Sequence, residues 1–227
     1  MKRFSVISLD ADQTLFDFNR IMLEALAAVC EDFFTRHNIN VSASQLKSRR
    51  DQIASKIDDP SFAMLELRRR SFQEVLSDHS IHDPAEVGRA MEIFESIRFG
   101  KVYFYNDTIP VLRSLVKSHK LALITNGNSN PFEAGIADYF SYSILAENCG
   151  FRKPDKRIFD VLLTEAQIPA DELIHVGDSL ETDVAGALNA GVTAVYLNRE
   201  GKKLKPHSIT PDHEISDLHE LLEIVYS

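Results

Sequence analysis

Cysteine is scarce in this chain: Cys30 and Cys149 are the only two in 227 residues, and they lie far apart. No CxxC pair or Cys/His cluster forms, so the sequence offers no zinc site. Both thiols read as small, partly apolar core groups. A long apolar run is also missing. Nothing approaches the ~18 residues that a bilayer span requires. The opening MKRFSVISLD lacks the apolar length and small-residue cleavage site of a signal peptide, so the expected location is the cytoplasm. Positive charge is in deficit, with 25 Lys and Arg against 34 Asp and Glu and a net charge of −9. That balance argues against a nucleic-acid or anionic-membrane partner. An anionic substrate would have to be held by a local positive group against the overall field.

What is present suffices for a core. A hydrophobic fraction of 44% with 26% charged residues suits one moderate domain, or a core carrying a smaller inserted module. Five short apolar runs read as buried strands: 4–10, 120–126, 141–148, 172–178 and 193–198. Each is stopped by Asp, Asn or Gly. Amphipathic helical patterns separate the last four, and one more closes the chain at DLHELLEIV. This alternation predicts an α/β fold, a Rossmann-like three-layer core around a five-stranded, mainly parallel sheet. Residues 17–103 break the pattern with four amphipathic helices and no strand, predicting an all-helical insertion. The expected division is a core of 1–16 and 104–227 with an inserted unit of 17–103. The segment 199–214 reads as a polar connection.

Ligands of open parallel sheets bind outside the carboxyl ends of the strands, and the polar clusters of this sequence collect there. The first strand runs into Asp10 and Asp12, the second into Thr125, Asn126 and Gly127, and the fourth into Gly177 and Asp178. Lys153 follows the third, aimed by Pro154, and Asp183 lies one turn into the helix after the fourth. Asp10 and Asp178 can jointly hold Mg²⁺, which takes one or two carboxylates together with substrate phosphate. Thr125 offers a hydroxyl, Asn126 and Gly127 offer N–H groups, and Lys153 offers a point charge for a phosphoryl group. Asp10 can attack phosphorus to give an aspartyl-phosphate, and Asp12 can protonate the leaving oxygen and later activate water.

The segments DADQT, LITNGN, RKP and GDSLETD, in this order, resemble the four motifs of the haloacid dehalogenase superfamily. The insertion falls where that family carries its C1 cap. DADQTLF is similar to the opening of its bacterial pyrimidine 5′-nucleotidases. GDSLETDVAGALNAG is similar to the equivalent stretch of N-acylneuraminate-9-phosphate phosphatases. The resemblance implies Asp10 as nucleophile, Asp12 as acid/base, and Mg²⁺ held by Asp10, the Asp12 carbonyl and Asp178. It further implies phosphate held by Thr125 and Lys153, with Asp183 orienting the lysine or the metal's waters. Gln13 departs from the pattern, where many members have Gly or Asn.

The expected activity is hydrolysis of a small phosphomonoester, a nucleoside monophosphate or sugar phosphate, by a monomer or homodimer. Mutase and phosphonatase chemistry use the same core and stay open. A dehalogenase has no need of the acid/base that Asp12 supplies. A receiver-like phospho-switch places its acceptor on a middle strand and lacks such an insertion. Arg49, Arg50 and Arg68–Arg70 read as solvated helix faces, His175 as a satisfied core histidine, and Arg152 as a possible ligand contact beside Lys153.

Overall fold

The computed structural model describes residues 4–57, 64–127, 135–205 and 208–227. The chain opens with β1 (Val6–Leu9), followed by α1 (Phe18–His37), α2 (Ala43–Ala54), α3 (Met64–Asp78) and α4 (Pro84–Gly100). Next come α5 (Thr108–Leu115), β2 (Lys120–Thr125), β3 (Tyr142–Leu145), α6 (Ala146–Cys149) and α7 (Arg157–Ala166). The chain closes with β4 (Leu173–Gly177), α8 (Ala185–Asn189), β5 (Thr193–Leu197), β6 (His213–Ile215) and α9 (His219–Tyr226). The residues that follow the Asn126 and Gly127 N–H groups, 128–134, lie outside the described residues. Two compact units result: Met1–Phe18 with Val102–Ser227, and Asn19–Lys101.

The first unit is built on one sheet of order β3-β2-β1-β4-β5-β6 in which every neighbouring pair is parallel. Strand residues alternate between its two faces. Ile7, Leu9, Leu121, Leu123, Ile174 and Val176 pack with Val111, Leu115, Leu221 and Val225 of α5 and α9. Val6, Ala122, Ile124 and Leu173 face Phe159, Leu162 and Ala187 of α7 and α8. Helices on both faces bury the strands, which explains why β1, β4 and most of β2 read as largely apolar runs, with Ser8 and His175 the polar exceptions in β1 and β4.

Among the described residues the sheet has six strands where the sequence predicts five. The sixth, β6, lies at the end of the segment read as a polar connection and pairs with β5 from Val195↔His213 to Leu197↔Ile215. It is a three-residue edge strand, HEI, with only Ile215 buried. Its composition is that of a loop, and its pairing is decided by the neighbour it meets.

In the second unit, α1–α4 enclose a core in which Phe72 meets Phe33 and Phe94 edge-to-face at 6.1 and 6.0 Å. Local signals fix the helix starts: Ser42 and Gln45 form a reciprocal capping box at α2, and Asp83 caps α4 ahead of Pro84. Arg68 is a correction to the solvated-face reading. It is buried, with its guanidinium 5.3 Å from the Phe94 ring centre and Nη1 donating to the Leu46 carbonyl. Burial lowers its pKa to about 10. Arg69 and Arg70 do pair with Glu66 at the surface, as Arg49 does with Glu74 and Asp78.

A polar clamp ties four separate stretches of the first unit. Arg199 donates from Nη1 to Asp107 Oδ2 at 2.7 Å and from Nη2 to Oδ1 at 3.0 Å, and Nη2 also reaches the Thr14 carbonyl at 2.9 Å. The same Asp107 accepts from the Leu218 N–H at 2.8 Å, and the guanidinium lies 4.0 Å from the Tyr105 ring centre. Burial pushes Asp107 up, but hydrogen bonds from Arg199 and the Leu218 N–H outweigh it and hold the carboxyl below its ordinary range. The unfolded chain therefore binds this proton more readily. The stabilisation is complete above the unfolded value of ~3.9 and is lost as pH falls through the folded value. Asp107→Asn is expected to cost about 2 kcal/mol at pH 7. This lies below the ~3–5 kcal/mol of a fully buried pair because Arg199 keeps some water. Urea denaturation should show the gap from wild type closing below about pH 4. A gap of equal size at both pH values would contradict the clamp's charge.

Candidate active site

The sheet order reverses at β1, whose neighbours β2 and β4 connect away on opposite sides. Such a switch point opens a crevice at the carboxyl edge. Asp10 follows the last residue of β1, Thr125 ends β2, and Asp178 follows the last residue of β4. Lys153 and Asp183 are carried to the same place by the loop before α7 and by a single π-helical turn, Leu180–Val184, before α8. Ser179 caps that turn by accepting from the Thr182 N–H.

Lys153 is the centre of the cluster. Its Nζ donates to Asp10 Oδ1 at 2.5 Å, to Asp183 Oδ1 at 2.5 Å and to the Ile124 carbonyl at 2.8 Å. All three ammonium protons are thereby used, with the side chain almost fully buried. The two carboxylates hold the lysine above its ordinary pKa range against the opposing effect of burial. Asp10 is pushed up by burial, a shift that Lys153 opposes and that Asp183 and Asp12 reinforce. Asp183 is held well below the carboxylate range: burial works against this, and Lys153 and His175 overcome it. Burial and the charge of Asp183 raise Asp178 to about 6.

Asp12 and the end of β2 converge. A Cβ built on Gly127 would lie 2.6 Å from Asp12 Oδ2 and 3.4 Å from Thr125 Oγ1, so a side chain there would displace the Asp12 carboxylate. The Gly127 N–H donates to Thr125 Oγ1 at 3.0 Å. Asn126, singled out for its N–H, contributes its side chain as well. Oδ1 accepts from the Lys153 N–H at 2.7 Å and Nδ2 donates to the Lys153 carbonyl at 2.8 Å, clamping the main chain that carries the lysine. Arg152 reaches the Asn126 carbonyl at 3.4 Å. Gln13 stands at φ 63°, a left-handed backbone that Gly and Asn enter with less strain. Its place in the motif is thus a conformational one.

Asp10, Asp178 and Asp183 each bring a carboxylate oxygen within 4.8 Å of the others. Four carboxylates, counting Asp12, surround one lysine, and an all-oxygen donor set with excess negative charge fits a hard divalent cation. Asp183 is the least available of them. Its Oδ1 is engaged by Lys153 and His175, and its Oδ2 accepts from the Ser179 N–H.

The chain matches the haloacid dehalogenase-like hydrolases over residues 4–191, and it belongs to that family. Among its relatives are a pyrimidine 5′-nucleotidase of Escherichia coli, 27% identical with 96% of each chain covered, and a mouse N-acylneuraminate-9-phosphatase, 23% identical across 100% of this chain and 96% of the other. A solved structure described as a 2-haloacid dehalogenase from Pseudomonas syringae pv. Tomato superposes with a TM-score of 0.78 at 31% identity, covering 98% of both chains. No helix among the described residues is long and apolar enough to cross a membrane.

Gly177 tests how tightly the cluster is packed, because a Cβ there would lie inside the Asp183 side chain. Gly177→Ala is expected to lose about 1–3 kcal/mol by overpacking. Gly88→Ala, inside α4 with nothing within 4 Å of the added carbon, is expected to gain about 0.5–1 kcal/mol. Denaturant midpoints of the two variants check both signs.

Proposed function

We propose that the chain is a Mg²⁺-dependent phosphatase that hydrolyses a small phosphomonoester, a nucleoside monophosphate or a sugar phosphate, through an aspartyl-phosphate on Asp10. The observation that carries this reading is the convergence of Asp12 Oδ2 on the Thr125–Gly127 turn, with Lys153 bound to the neighbouring Asp10. Displacement at carbon by a carboxylate needs no proton donor. Expulsion of an alkoxide from phosphorus does, and Asp12 is the group that supplies it in this reading.

Lys153 holds Asp10 Oδ1, leaving Oδ2 as the attacking atom. Attack joins Oδ2 to phosphorus as the bond to the ester oxygen breaks, and Asp12 delivers its proton to that oxygen. Asp12 then takes a proton from the water whose oxygen joins phosphorus as the acyl phosphate cleaves, regenerating the Asp10 carboxylate and the protonated Asp12. Negative charge leaves Asp10 as the bond forms, so the Lys153 N–H now directed at it can turn toward the phosphoryl oxygens, joined by the Thr125 hydroxyl and the Asn126 and Gly127 N–H groups. Asp10, the Asp12 carbonyl and Asp178 would hold Mg²⁺, which when bound neutralises phosphoryl charge and the mutual repulsion of the acids. The helical insertion serves as the cap that chooses among esters. The nucleotidase among the relatives supports a nucleotide substrate.

A second reading, dehalogenation of a 2-haloacid, is favoured by the likeness to the Pseudomonas structure. Phosphate release from nucleoside monophosphates, sugar phosphates and p-nitrophenyl phosphate, assayed beside halide release from 2-chloropropionate, separates the two. Phosphate release is expected with Mg²⁺ and not with chelator. It should be abolished in Asp10→Asn and reduced about 10²–10⁴-fold in Asp12→Asn. Halide release without phosphate release would replace the phosphatase reading.

A further inference from the structure

Beneath the carboxyl edge, on the α7/α8 face of the sheet, two polar side chains lie inside an otherwise apolar layer. Ser8 of β1 and His175 of β4 are partners in register, and both are buried. Ser8 Oγ is 2.9 Å from His175 Nδ1, and His175 Nε2 is 3.2 Å from Asp183 Oδ1. Phe159 packs edge-on against the imidazole at 5.0 Å, which fixes the ring plane.

This geometry determines where the protons lie. An ionised Asp183 can only accept, so Nε2 has to carry hydrogen. In a neutral ring Nδ1 is then a bare lone pair, and the Ser8 hydroxyl donates to it. The opposite arrangement has Nδ1–H donating to Ser8 while Ser8 donates to the Ile174 carbonyl at 3.3 Å. That would set the lone pair of Nε2 against a carboxylate oxygen.

We propose that Ser8 and His175 form a tautomer-locked relay that positions Asp183 and, through it, the Lys153 ammonium. The carboxylate of Asp183 is held from two sides, by His175 at Oδ1 and by the Ser179 N–H at Oδ2. It cannot follow Lys153 when that ammonium turns from Asp10 to the transferring group. His175 is a positioning residue: it touches neither substrate nor the reacting atoms, and it sets the point about which the lysine pivots. Its kinetic consequence rests on the phosphatase reading, whereas its tautomer does not.

Two measurements test the relay. Long-range ¹H–¹⁵N correlation spectra of the full chain, with His175→Phe to assign the signal, should show a neutral ring protonated at Nε2. Ser8→Ala should leave the proton on Nε2, which Asp183 requires, and shift the Nδ1 resonance as its hydrogen bond is lost. A proton on Nδ1, or on both nitrogens, would overturn the proposal. In phosphate-release kinetics, His175→Phe keeps the ring packing and removes the hydrogen bonds. It should lower kcat about 10–100-fold with little change in KM or melting temperature. His175→Gln, whose amide nitrogen can take the place of Nε2, should recover most of the loss. Wild-type kcat in His175→Phe, or equal losses in both variants accompanied by lowered melting, would assign His175 a packing role and reject the relay. Absence of ester turnover in the wild type would count against the phosphatase reading alone, and the tautomer spectrum would still decide the relay.

Discussion

One buried ammonium organises this molecule. Lys153 gives its three protons to Asp10, Asp183 and the Ile124 carbonyl, from a position where water does not compete. A charge so placed is tolerated only because its partners are fixed. Much of the surrounding structure serves to fix them: Asn126 holds the main chain of the lysine, Ser179 and His175 hold Asp183, and β1 holds Asp10. The arrangement is deliberately short of positive charge. Four carboxylates gather beside one lysine, and burial together with the charge of Asp183 raises Asp178 to about 6.

The scaffold makes this gathering possible at low conformational cost. Because the strand order reverses at β1, residues from β1, β2 and β4 reach one edge without any loop having to fold into the interior. The two connections of the helical insertion to the first unit run antiparallel, with the Asp17 N–H donating to the Tyr103 carbonyl and Tyr105 N–H to that of Leu15. A large insertion thus enters and leaves through one short paired ribbon, and the sheet keeps its register.

Much of this architecture can be read from the residues, for a physical reason. Strands buried on both faces must be largely apolar, so β1, β2 and β4 announce themselves even with Ser8 and His175 among them. Polar residues at their carboxyl ends then have few structural duties to explain them. What escaped the sequence depended on partners distant in the chain. The edge strand β6 has the composition of a loop. Arg199 sits in a stretch indistinguishable from a solvated linker, and only the bidentate fit to Asp107 shows it as a clamp. Asn126 was read for the atom every residue has, while its amide side chain does the holding. Arg68 lies four residues before Phe72 on the buried face of α3, a spacing that separates it from its two solvated neighbours once the run is read residue by residue.

The order of segments along the chain has a consequence for biosynthesis. β1 is central in the sheet, yet the partners on its two sides begin at Lys120 and Leu173. A ribosome adding about 5–20 residues per second leaves this apolar strand unpaired for on the order of ten seconds, with the helical unit completed in the interval. The strand that leads into Asp10 is therefore the segment of the nascent polypeptide most in need of shielding, and a chaperone that captures short aliphatic stretches would meet VISL before any other part of the sheet.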